Sequence, residues 1–88
     1  MDYEFDPGKY EINQAKHGVS FDEVHGFEWE TAVVKQDTRK RYEESRFEAK
    51  GYIGQRLHEL VFCLRTDAVR VISLRKANMQ EEKMYAKT

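Results

Sequence analysis

Cationic side chains at the ends of strand-like segments carry the clearest chemistry in this sequence. Arg46 opens one such segment, Arg65 closes the next, Arg70 opens the last and Arg75-Lys76 close it. In antiparallel strands joined by tight turns, such ends can converge. Converging guanidinium groups bind phosphate bidentately, and arginine does so better than lysine. A cluster of this kind can hold RNA by its backbone or stabilise the added charge of a phosphoryl transition state without a metal. The alternative is that these arginines are solvated strand termini paired with Glu43, Glu44 or Asp67. Arg39-Lys40-Arg41-Tyr42 mixes cations with an aromatic, as single-stranded RNA binders do, or it is a charged loop. His17, with an intrinsic pKa near ~6.5, suits acid or base work; as a cation at a helix C-terminus it also has a purely structural explanation. Tyr85 is a core aromatic or a stacking platform. Trp29 anchors a partner or caps a sheet, and Cys63, mid-strand among apolar residues, reads as an inert core thiol.

The elements that position these groups follow from punctuation and periodicity. Tyr3-Glu4-Phe5 alternates as a short strand. Asp6-Pro7 starts a helix over about 7–17, which Gly18 ends. Ser20 and Glu23 have capping-box spacing, so a second short helix should run to about Glu28. Ala32-Val33-Val34 is a short strand, and residues 37–45 read as a charged loop. Phe47, Ala49, Gly51 and Ile53 alternate with Arg46, Glu48, Lys50 and Tyr52, giving a half-wet strand. Gly54-Gln55 turns into a strand from Leu57 to Arg65, and Thr66-Asp67-Ala68 turns into another over 69–75. Asn78 and Glu81 form a second capping box, opening a last helix to about Lys87. The expected fold is α+β: a short N-terminal strand, two N-terminal helices, a mainly antiparallel sheet and a C-terminal helix, with the helices on one sheet face.

The chain has 88 residues, which is one domain over 1–88. Its net charge of −1 hides a split: residues 1–30 hold eight acidic and two basic side chains, and residues 35–76 hold eleven basic and six acidic. One surface should therefore meet an anion or an acidic partner. No apolar run approaches a membrane span, and no basic-then-apolar leader opens the chain. One cysteine leaves no internal disulfide, so a reducing cytoplasm is expected. The three histidines lack metal-ligand spacing, and no cofactor or metal motif is present. No helix is basic enough along one face to enter a DNA groove.

Four segments resemble the BrnT toxins, the ribonuclease components of type II toxin–antitoxin pairs. They are Tyr3-Glu4-Phe5-Asp6 with Lys9 and Asn13; Lys16-His17-Gly18-Val19-Ser20-Phe21-Asp22-Glu23; Glu44-Ser45-Arg46-Phe47 followed by Gly51; and Arg70-Val71-Ile72-Ser73-Leu74-Arg75-Lys76-Ala77 with Glu81 and Tyr85. Leu74, Leu64-Arg65-Thr66 and Glu82 depart from that family's usual pattern. The resemblance implies a RelE-like fold and metal-independent RNA cleavage, by attack of a ribose 2′-hydroxyl on the adjacent phosphate to leave a cyclic phosphate. It also implies inhibition by a BrnA-type antitoxin whose ribbon-helix-helix part carries the DNA contact, so that DNA is met only indirectly; a dimer within that complex stays open. Carried over residue by residue, Arg46, Arg65 and Arg75 are the phosphate-contacting candidates, joined by His17 and Tyr85. Arg39, Lys40, Arg41, Arg70 and Lys76 are candidate RNA contacts. The competing reading is a catalytically weak partner that holds the antitoxin and acts in operon autoregulation.

Overall fold

A computed structural model describes residues 1–39 and 41–88. The chain runs β1 (Tyr3–Phe5), α1 (Pro7–His17), a 3-10 helix (Phe21–Gly26), β2 (Val33–Asp37), β3 (Arg46–Ile53), β4 (Arg56–Leu64), β5 (Val69–Lys76) and α2 (Met79–Tyr85). The five strands form one sheet in the order β1-β5-β4-β3-β2. β1 pairs with β5 in parallel, and every other neighbour is antiparallel. This is the α+β class expected from the sequence.

Local chemistry sets the element boundaries. The Asp6 carboxylate accepts from the Gly8 and Lys9 N–H groups, and Gly18 closes α1 at φ 69° with its N–H on Gln14 O. Both capping boxes form. The second helix is 3-10 rather than α and ends early, because Phe27 leaves it to bridge Ile53 of β3. β2 runs three residues further than its apolar start suggests. Its outer half is polar, but the backbone pairing with β3 carries it to Asp37.

One sheet face buries the core. Ala49, Leu60, Leu74 and Val71 lie there under Val19, Phe21, Val24 and Phe27, all nearly inaccessible to solvent. Gly51 is required at this packing, since a Cβ there would meet the Phe27 ring at 2.6 Å. Trp29 caps the same core, packing on Phe27 and Phe62 and donating to the Tyr3 hydroxyl at 2.8 Å. β1 covers β5 only as far as Val71. Beyond it α1 takes over: the Asn13 side chain donates to Leu74 O at 2.7 Å and to Val19 O at 2.9 Å, and accepts from Leu74 N at 3.1 Å. The amide thus stands in for a strand on that edge.

The helices do not all share one face. Glu81 and Tyr85 of α2 meet Arg75, Lys50 and Tyr52, which alternate away from the core, so α2 covers one end of the opposite face. The expectation of helices on a single face holds for α1 and the 3-10 helix only. The remainder of that second face is open.

Candidate functional site

Strand register arranges the open face in cross-strand rows. Asp37, Arg46, Cys63, Arg70 and Glu4 form one row across all five strands. Lys35, Glu48, Val61 and Ser73 form the next, and Val33, Lys50, Glu59 and Arg75 the third. Four residues of strand separate the outer rows, about 13 Å. A bulge in the β4–β5 ladder at Val61/Phe62 adds Ile72 between them.

The first row carries a cationic pocket of about 300 Å³. Arg46 and Arg70 come from β3 and β5, on either side of Cys63 in β4; Arg65 lies just past the end of β4, and Lys9 arrives from the first turn of α1. Cys63 and Ile72 also line it, and Tyr42, Glu43 and Glu44 form its rim. Cys63 is buried, as its apolar run suggested, yet it belongs to the pocket. Burial and the Glu44 carboxylate push its thiol up, against the pull of the three arginines. The Arg46 guanidinium stacks on Tyr42, 4.4 Å from the ring centre. Tyr42 is tethered in turn, its hydroxyl donating to Asp37 at 2.9 Å. Asp37 is buried, and the Arg39 guanidinium holds its carboxyl well below the usual range.

Carboxylates pair with two of the pocket's arginines. Arg70 donates to Glu4 at 2.9 Å and reaches Asp6 at 3.5 Å. Arg65 lies 3.2 Å from Glu44 and 3.7 Å from Glu4. The pairing of Arg65 with Glu44 matches the solvated-terminus alternative; Glu4 and Asp6 enter only because β1 pairs with β5. Lys9, Glu4 and Asp6 were not singled out as site residues by spacing. The signal available for Glu4 was the Tyr3-Glu4-Phe5 alternation, which turns Glu4 to the wet face.

The structure separates the expected group of phosphate contacts. Arg46 and Arg65 share the pocket with Arg70, and Arg75 does not line it. Arg75 lies in the third row, where its guanidinium donates to Glu81 at 2.7 and 2.8 Å and to Glu59 at 3.0 Å. Lys50 joins the same network, 2.6 Å from Glu59. His17 belongs with this end of the sheet: burial lowers its pKa first, then the charges of Lys16 and Arg75, with Glu59 opposing. Tyr85 packs edge-on against Tyr52 and donates to Thr31 O at 2.6 Å. Lys76 stands opposite His58 on the other face. Arg39 pairs with Asp37 and Glu48, and Arg41 lines a neighbouring hollow of about 390 Å³ with Asp37 and Tyr42. Lys40 lies outside the described residues.

Glu81 fastens α2 to the sheet. Its carboxylate caps the Asn78 N–H at 2.9 Å while holding Arg75, and Arg75 lowers its pKa to about 2. The folded value lies below the ordinary 4.5. The contact is therefore complete above about pH 4.5 and is lost as pH falls towards about 2. Acid titration should release α2 across that window while the core persists, seen in the Met84 and Tyr85 NMR signals. Glu81→Gln should show a loosened α2 already at neutral pH; an unchanged α2 in that variant would refute the fastening.

Among the described residues no group of three or more His, Cys, Asp or Glu is arranged to hold a metal ion, and no helix is long and apolar enough to cross a membrane. No curated protein matches the chain. A family model described as the ribonuclease toxin, BrnT, of type II toxin–antitoxin systems matches residues 5–81.

Proposed function

The chain belongs to the BrnT family of ribonuclease toxins of type II toxin–antitoxin systems, and from that premise we propose that it cleaves RNA without a metal at the arginine pocket. Family membership brings an RNA substrate and a cognate antitoxin. The observation that carries the finer reading is the convergence of Arg46, Arg65, Arg70 and Lys9 on one pocket of the open sheet face.

The reacting phosphate sits among those cations, displacing part of their carboxylate pairing. The ribose 2′-oxygen attacks phosphorus and the bond to the 5′-oxygen breaks, leaving a 2′,3′-cyclic phosphate and a 5′-hydroxyl. Glu44, beside Arg65, is the carboxylate at hand to accept the 2′-proton. Lys9, the ammonium that lines the pocket, gives the departing 5′-oxygen its proton. Fixed cations supply the largest share, because charge grows on the phosphoryl oxygens as the transition state forms. Arg75, His17 and Tyr85, towards the far end of the sheet, serve RNA beyond the reacting phosphate, and Lys76, on the other face, does not. The antitoxin carries a ribbon-helix-helix, so DNA is met only through it, and the pair works in the cytoplasm.

End-group analysis of RNA cleaved in excess chelator tests this reading. Cyclic phosphate and 5′-hydroxyl ends at an undiminished rate are expected; loss of cleavage on chelation would sink the metal-independent route. A second reading is favoured by one observation: Arg65 and Arg70 already sit against Glu4, Asp6 and Glu44. In that reading the pocket is electrostatically satisfied, and the chain chiefly holds its antitoxin in operon autoregulation. Expression without the antitoxin separates the two, since only the nuclease arrests growth and depletes RNA.

A further inference from the structure

The two edges of the sheet are finished differently. On the β1 side, β1 covers the first part of β5 and Asn13 satisfies Leu74 beyond it. On the other side, β2 pairs only with β3, and among the described residues no strand meets its outer edge. Alternate residues of β2 therefore present backbone N–H and C=O groups outward, an arrangement that templates another strand. Proteins usually blunt such an edge with charge or proline; here Lys35 is the exposed charge on it, and Val33 and Val34 beside it are 40% and 48% exposed. Met84 of α2 is 61% exposed. It faces Val33 across a groove of about 470 Å³, walled also by Tyr85, Lys35, Lys50 and Glu81.

We propose that the free edge of β2, with the groove beside α2, receives an extended segment of the cognate antitoxin as a sixth strand. The proposal rests on family membership and not on the arginine pocket. The charges around the groove select a protein strand. Lys50 is already held by Glu59 and Glu81, so the groove offers a polyanion no surplus cation there. Lys35 is the accessible charge, its side chain 72% exposed and 3.8 Å from Glu48. A fitting segment sets an apolar residue opposite Val33, to enter the groove, and an acidic one opposite Lys35. A second copy of this chain fits poorly. Antiparallel self-pairing over all of β2 sets Lys35 against Lys35 and Val33 against the buried Asp37, and like charges directly opposite are destabilising.

Amide hydrogen exchange of the free toxin and of its purified antitoxin complex tests this. The outward-pointing amides among residues 33–37 should slow at least 10-fold in the complex. Val33→Glu should weaken antitoxin binding at least 30-fold and leave RNA cleavage by the free toxin unchanged. Met84→Glu should do the same; it lies on a helix with no buried residue, so a folding defect in the first variant does not remove the test. A complex that forms without slowing exchange at 33–37 overturns the proposal. So does slowing in the free toxin together with a dimer in sedimentation, which would make the occupant a second copy. Cleavage is measured in parallel: protection without cleavage supports this proposal and removes the nuclease reading, while cleavage without protection overturns this one alone.

Discussion

Arg46→Ala and Arg65→Ala should each lower RNA cleavage by about 10²- to 10³-fold, the usual cost of removing one preorganised donor from a developing oxyanion. Both side chains project from the end of a strand into solvent-facing space, so neither truncation opens a core cavity. Thermal melts of the variants should stay close to that of the unaltered protein. Arg46→Lys restores charge without the planar fork or the stack on Tyr42, and should recover only a minor part of the activity. Arg75→Ala is the informative contrast. It lies about 13 Å from the pocket row, so cleavage should fall less than 10-fold while α2 loosens. Single-turnover rates on a short RNA measure this directly. Equal losses for Arg75 and Arg46 would move the reacting phosphate to the third row; full activity in Arg46→Ala would remove it from the pocket altogether.

Asn13→Ala should destabilise the fold by about 3 kcal/mol, because it strands three buried backbone groups: Leu74 N–H, Leu74 C=O and Val19 C=O. That is a large part of the ~5–15 kcal/mol that holds a small domain together. Denaturant melts should show the loss as a shifted midpoint. Asn13→Asp separates shape from donation. The carboxylate still accepts from Leu74 N–H but turns an oxygen towards two carbonyl oxygens, so it should be no better than alanine. An Asp variant as stable as the unaltered protein would mean that the edge is satisfied some other way.

Much of this architecture was written in local chemistry. Asp6-Pro7 and Gly18 bracket α1, and alternation from Arg46 to Ile53 announces β3 with its wet face. β2 was legible only in its apolar start, because an edge strand exposed on both faces has no need of alternation. The pairing of β1 with β5 joins positions 66 apart, as Glu4 and Arg70 show, and no short-range signal announces it. The grouping of Arg75 with Arg46 and Arg65 fails for a reason visible in strand polarity alone. Arg46 begins β3, Arg65 follows β4 and Arg70 begins β5, so antiparallel strands put all three at one end. Arg75, near the finish of β5, belongs to the other end. Lys9 needed tertiary structure: only the β1–β5 pairing brings the first turn of α1 to the arginines.

That parallel pairing also has a consequence for synthesis. A strand at residues 3–5 has no partner until residues 69–71 have been made. The hairpins β3–β4 and β4–β5 can close locally, but Lys9, Glu4 and Asp6 join Arg70 only when the two distant segments dock. A nascent chain that has not yet released β5 from the ribosome therefore has neither Arg70 nor a completed pocket. The covalent order of the chain thus delays assembly of the cationic pocket until translation has passed β5.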